Sequence, residues 1–144
     1  MSSVRDDLRI GQTYEEEVVT NLTRTQIVQY AGASDDFNPL HTDEIFATEV
    51  AGYPSVIAHG MLTMGLTGKA LTNFVGVDRL VRFGGRFLSV VWPGDSLVTR
   101  IRIVGHVALD DETVRLEIVT VNQHEEAVFS GSAVARVKVD STSA

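Results

Sequence analysis

At 144 residues the chain has the length of one domain with one buried core, and 44% hydrophobic with 22% charged residues is a globular rather than a disordered composition. A formal net charge of −7 argues against a general binder of nucleic acid or anionic membrane, because phosphate binding draws on clustered Lys and Arg. The absence of cysteine excludes disulfides, thiolate catalysis and Cys-based metal sites.

Residues 1–7 lack the apolar core of a signal peptide and no apolar run has the length of a membrane span, so a cytoplasmic protein is expected. Residues 13–20 read as a first strand, with Glu15, Glu16 and Glu17 as its solvated edge. Thr23-Arg24-Thr25-Gln26 has the form of a capping box. It opens a helix whose apolar side is Ile27, Val28, Tyr30 and Ala31 and which ends across residues 32–36. Residues 35–57 form a long connection containing Pro39, Gly52 and Pro54, and a connection that long inside a compact domain is usually functional.

Residues 59–75 form the second helix. Met61, Leu62, Met64, Leu66, Ala70, Leu71 and Phe74 cover nearly its whole circumference, which predicts burial on all sides. Gly60, Gly65 and Gly68 each cost about 1 kcal/mol relative to Ala, and the expected compensation is close approach to a sheet or a partner chain.

From Leu80 onward the hydrophobic period changes to two. Residues 80–92 read as a long strand, with a bulge or bend at Gly84-Gly85. Trp92-Pro93-Gly94-Asp95 fits a type II turn. Three more strands follow, carrying Leu97 to Ile103, Val114 to Ile118 and residues 127–139, with turns at 110–112 and 122–125 and a frayed tail at 140–144. Small residues on one face of the last strand would let a helix lie close. The order strand, helix, long loop, buried helix, four strands predicts one α+β domain over residues 1–144, an antiparallel sheet wrapped around a long central helix.

Among residues with chemistry, His106 and His124 lack an acidic or hydroxyl neighbour at an orienting spacing, and read as structural or surface residues. No His pair has metal-ligand spacing on one element, so no metal is expected. Gly84-Gly85 lies within a strand with no helix after it and is not a phosphate loop. Asp36, Asn38, His41 and His59 remain. Pro39 stops a helix and pushes Asn38 toward an extended conformation, so the chain from Asp36 to His41 turns and can bring the two side chains together. A carboxylate beside an imidazole is a competent acid–base pair. Gly60 begins the buried helix, where unpaired N–H groups face outward and could stabilise an oxyanion. Spacing alone leaves an acid–base site and a plain surface turn both open.

Ser34-Asp35-Asp36-Phe37-Asn38-Pro39-Leu40-His41, with Ala47 beyond it, resembles the hydratase motif of the MaoC-like, (R)-specific enoyl-CoA hydratases. His59-Gly60-Met61 resembles the opening of that family's central helix, and Phe87 with Pro93-Gly94-Asp95 its later strand and turn. The resemblance covers nearly the whole chain. It implies a hot-dog fold, paired into a homodimer or higher homo-oligomer, and an enzyme that adds water to trans-2-enoyl thioesters or removes it from 3-hydroxyacyl thioesters. Carried over, Asp36 and His41 hold and activate the water, the Gly60 N–H polarises the thioester carbonyl, and Asn38, His59 and Thr67 support the site. Arg82 and Arg86 are candidate contacts for CoA or a carrier protein. No metal or prosthetic group is implied, since CoA or a pantetheine carrier belongs to the substrate. Thr67 stands where Ser is frequent, and Asp35 where Gly is frequent. A hot-dog thioesterase and a non-catalytic acyl-binding subunit of a heterodimer are the alternatives.

Overall fold

The computed structural model of the chain describes residues 7–138; the signal-peptide reading of residues 1–6, the end of the last strand at Val139 and the frayed tail at 140–144 lie outside them. Strand β1 (Thr13–Val19) leads to helix α1 (Arg24–Ser34), a long excursion, and helix α2 (Gly60–Val75). Strands β2 (Leu80–Phe87), β3 (Leu97–Val107), β4 (Asp110–Val121) and β5 (Ala127–Arg136) follow. They form one sheet in the order β1-β3-β4-β5-β2, antiparallel at every junction.

Local chemistry accounts for the starts and stops. Thr23 Oγ1 accepts from Gln26 N at 3.0 Å while Gln26 Oε1 accepts from Thr23 N at 2.8 Å, which closes the capping box of α1. The type II turn is present: Asp95 N donates to Trp92 O at 3.1 Å, and Gly94 takes the positive φ of 95° that its position demands.

Helix α2 lies across the inner face of the sheet. Its Ala70, Leu71 and Val75 are buried with Ile101 and Ile103 of β3, Leu116 and Ile118 of β4, and Ala133 and Ala135 of β5. The alanines at 133 and 135 permit the short distance that the sequence anticipates. At Gly68 an added Cβ would already touch the Phe83 ring at 3.4 Å. This is the hot-dog fold, a sheet wrapped around one long helix.

Four expectations need correction. Helix α2 is not buried all round: Met61 is 55% exposed, and Gly65, Lys69 and Asn73 follow at helical spacing on the same open side. A sheet of five strands covers a helix from one side, and an apolar count cannot say which side. Strand β2 ends at Phe87 rather than at residue 92: Leu88 N still donates to Val128 O at 2.9 Å, but by Val91 the chain has turned to the approach to α2, where Val91 O accepts from Ala58 N at 2.9 Å. Its irregularity falls between Leu80 and Arg82, while Gly84 and Gly85 stay in register opposite Ser132 and Gly131. Gly85 and its partner Gly131 make room for a ring: a Cβ on Gly85 would come within 2.5 Å of Phe129 Cζ, and one on Gly131 within 3.0 Å of Phe129 Cε1. The buried Phe129 is flanked by Phe83 and Phe87 at 5.9 and 5.8 Å. Finally, the glutamates of β1 are not one solvated edge. Glu15 pairs with Arg100, but Glu16 turns inward, where Tyr14 Oη donates to it at 2.5 Å and Asn73 Nδ2 of α2 at 3.0 Å.

Candidate functional site

The site begins where α1 stops. Asp35 caps the helix in the left-handed conformation (φ 61°, ψ 22°), which glycine adopts freely and Asp tolerates better than most residues. The backbone thus turns at the position where the motif often carries Gly. Two side-chain-to-backbone bonds then shape the loop: Asp36 Oδ1 accepts from Asn38 N at 3.3 Å, and Asn38 Oδ1 accepts from Leu40 N at 3.0 Å. Pro39 opens a single 3-10 turn, Pro39–His41, which carries the imidazole.

Both histidines are fixed by backbone carbonyls. His41 Nδ1 lies 2.7 Å from Ile57 O, and Ile57 N donates back to Leu40 O at 3.3 Å. His59, the residue before α2, places Nε2 3.0 Å from Asp36 O. A carbonyl oxygen only accepts, so the hydrogens sit on His41 Nδ1 and His59 Nε2. The two rings stack with centroids 3.7 Å apart and planes 21° from parallel, and the Tyr30 ring meets His59 edge-on at 4.8 Å. These contacts stitch residues 36–41 to residues 57–59 and form a neck from which residues 42–56 loop out. Ala47 is buried inside that excursion, and Arg24 of α1 pairs with its Glu44.

At the neck, donor-capable atoms of Asp36, His41 and His59 all lie within 4.8 Å of one another. Asp36 is exposed, His41 half-buried and His59 buried. Burial pushes the His59 imidazole below its ordinary pKa; the neighbouring His41 adds to this, while the Asp36 carbonyl and charge oppose it. His59 is therefore neutral at neutral pH, and its Nδ1 is a buried acceptor with no hydrogen-bond partner among the described residues. Two histidines and a carboxylate are a metal-ligand set, but the two stacked rings do not both ligate one ion. A metal lies in the plane of each imidazole about 2 Å from its nitrogen, and two planes stacked at 3.7 Å and 21° meet only well beyond that reach.

Gly60 is the first residue of α2, and the His59 side chain does not cap the helix. The ring that covers this helix end is Phe87: a Cβ on Gly60 would sit 3.0 Å from Phe87 Cε2. Beside it is a hollow of about 300 Å³ walled by Ile57, Gly60, Thr63, Phe87, Val91 and Val128. A larger hollow of about 620 Å³ lies on the sheet face opposite α2, where Arg100 and Arg102 pair with Glu15 and Glu117. It holds none of the candidate residues.

The structure thus brings together Asp36, Asn38, His41, His59 and the start of α2. It leaves Thr67 and the two arginines elsewhere. Thr67 is fully buried, with Oγ1 2.7 Å from Thr120 Oγ1, which in turn lies 2.7 Å from Thr99 Oγ1. Its hydroxyl belongs to the helix–sheet core. Arg82 and Arg86 are exposed on β2, opposite Val134 and Ser130, on the face turned away from α2. His106 and His124 are exposed, and His106 bonds only the backbone of Thr113. Sequence reasoning missed Ile57 O, Tyr30 and Phe87. A backbone carbonyl carries no residue signal, but an aromatic ring late in a helix just before the motif was a signal that Tyr30 offered.

The profile of the family described as "MaoC like domain" matches residues 6–127. The 3-hydroxyacyl-thioester dehydratase Y of Mycobacterium tuberculosis is 42% identical over 69 residues, 46% of this chain and 24% of that protein. The peroxisomal enoyl-CoA hydratase 2 of Arabidopsis thaliana is 43% identical over 75 residues, 50% of this chain and 24% of that protein. The chain thus matches about a quarter of the length of these curated relatives. Among solved structures, the R-hydratase PhaJ1 from Pseudomonas aeruginosa superposes with a TM-score of 0.80 at 25% identity, over 92% of this chain and 84% of that one. Among the described residues no helix is long and apolar enough to cross a membrane.

Proposed function

Because the chain belongs to the MaoC-like domain family, we propose that it hydrates trans-2-enoyl thioesters, or dehydrates (R)-3-hydroxyacyl thioesters, at the Asp36/His41 neck. The observation that carries this reading is the contact of His41 Nδ1 with Ile57 O at 2.7 Å, which sets the tautomer. With its Nδ1 hydrogen held by Ile57 O, the neutral ring presents an unprotonated Nε2 as base. Asp36 and His41 each bring one oxygen or nitrogen within 4.8 Å of the other's, a spacing that suits one water held about 2.8 Å from both.

In the hydration direction the Asp36 carboxylate and His41 Nε2 each accept one hydrogen of that water. As its oxygen bonds to C3, His41 Nε2 takes one proton, and the π electrons move through C2 to the thioester oxygen. The N–H of Gly60, at the positive end of α2, stabilises the resulting enolate. The His41 imidazolium then returns the proton to C2, so the water is added across the double bond and the enzyme is regenerated. Asn38 holds the loop through Leu40 N. The apolar hollow beside Gly60 and Phe87 would exclude bulk water from the thioester. Arg82 and Arg86 would meet CoA phosphates or a carrier protein at the rim of β2.

The test is loss of the enoyl absorbance band on crotonyl-CoA. Asp36→Asn and His41→Ala should each abolish turnover without loss of folding, and full activity in both would sink the assignment. Release of free thiol instead would convert the reading to a thioesterase.

A further inference from the structure

We propose that His59 is the positioning residue of this site: a neutral imidazole that fixes the Asp36 backbone through Nε2 and the plane of His41 through its ring. This role presupposes the hydratase reading of Asp36 and His41.

Three independent observations support it. First, the N-cap of a helix favours Ser, Thr, Asp or Asn, whose side chain satisfies the helix's own N–H groups. His59 occupies that position before α2 and makes no such bond. Its side chain is committed instead to Asp36 O, 23 residues earlier, at 3.0 Å. Second, the stack at 3.7 Å sets the tilt of the His41 ring, and the bond from His41 Nδ1 to Ile57 O sets its rotation. Together they leave the His41 imidazole one orientation. Third, the buried His59 Nδ1 has no partner, a standing cost that a space-filling side chain would not carry. Phenylalanine could stack without donating, and glutamine could donate without stacking. Imidazole does both in one compact ring, and the unsatisfied nitrogen is what remains over. The arrangement has a further result: the first N–H groups of α2 are not taken by a capping side chain, and the ring beside them is that of Phe87.

Two variants separate the contacts. His59→Phe keeps the stack and loses the anchor; His59→Gln keeps a donor and loses the stack. Each should lower kcat for crotonyl-CoA about 10- to 100-fold with KM within about 2-fold, as expected when a reacting group is misplaced by about an ångström. Circular dichroism at the assay temperature establishes that both are folded. Unchanged kcat in both folded variants overturns the proposal.

A second measurement needs no turnover. Imidazole ¹⁵N spectra of the unaltered chain should show His59 as the neutral Nε2–H tautomer, persisting below the ordinary histidine pKa of about 6.5. The Nδ1–H tautomer, or ordinary titration, overturns the positioning contact even if the variants do not fold. Inactivity of the unaltered chain on every enoyl thioester would sink the hydratase reading instead, and the ¹⁵N spectra would still decide the contact.

Discussion

Replacing Thr120 by Val removes one hydroxyl from the core and leaves two others stranded. The side chains have nearly the same volume, so cavity formation does not enter. Thr120 Oγ1 lies 2.7 Å from both Thr67 Oγ1 and Thr99 Oγ1, and all three residues are fully buried. A buried hydroxyl left without its partner costs about 1–3 kcal/mol. Thr67 lies within α2 and can turn its hydroxyl to the carbonyl one turn earlier; Thr99, on a central strand, has no such recourse. The expected net loss is about 1–3 kcal/mol. At about 2.1 cal/mol/K of unfolding entropy per residue, a chain of this length should lose roughly 3–10 °C in Tm. Thermal unfolding followed by circular dichroism measures this directly. The informative control is the triple variant with Val at 67, 99 and 120. Removing every partner together should bring Tm back to within about 1 kcal/mol of the unaltered protein. A Thr120→Val chain with unchanged Tm, or a triple variant less stable than the single one, would refute the hydroxyl chain. Turnover at 25 °C should be unaffected in Thr120→Val, since the Thr120 hydroxyl is spent on Thr67 and Thr99.

Four other outcomes are expected. Gly60→Ala would push a methyl into the Phe87 ring, and should lower kcat on crotonyl-CoA by about 10²-fold or more by disturbing the oxyanion donor; because Phe87 is 49% exposed and free to swing, Tm should change little. The depressed pKa of His59 means that the unfolded chain binds a proton there more readily than the folded one. Stability from this residue is therefore present above about pH 6.5 and lost as pH falls toward the lower folded value; urea titrations of His59→Gln should show a shallower decline across that window. Tyr14, held by Glu16, is pushed up to about 12. Its absorbance near 295 nm should rise well above the ordinary pH of about 10, and stability should fall over that interval, because the unfolded phenol ionises first. Asp35→Gly should raise stability by up to about 1 kcal/mol in urea unfolding if relief of the left-handed backbone outweighs the added freedom of the unfolded chain; a loss would show that Asp35 is not strained.

What the sequence revealed depended on distance along the chain. The capping box at Thr23 and Gln26 and the turn at Trp92 to Asp95 are complete within four residues, and both formed as read. The order of elements was equally plain, because the change from helical to alternating periodicity at Leu80 separates helices from strands. The motif brought Asp36 and His41 into one short turn, but could not indicate what lies beneath. The stack of His59 on His41, the Ile57 carbonyl and the Phe87 ring over Gly60 join segments 16 to 27 residues apart, where no local period reports a contact. Glycines were misread for the same reason. Gly85 looks like a bend when read alone; it is a seat for Phe129, whose ring arrives from another strand. The family resemblance placed Thr67 near the reacting groups, but Thr120 and Thr99, far along the chain, hold its hydroxyl in the core.

The stitched neck also gives the excursion at residues 42–56 a freedom that the rest of the chain lacks. Its two ends are held together by contacts that do not involve its own interior, so from the polymer standpoint it is a closed loop on a fixed base. Doubling the length of such a loop costs only about 0.6 kcal/mol of closure entropy. Insertions and deletions can therefore accumulate at its exposed positions while Asp36, His41 and the start of α2 keep their places. Libraries randomised over the exposed positions of residues 42–56, with buried Ala47 and Val56 retained, should keep the neck intact.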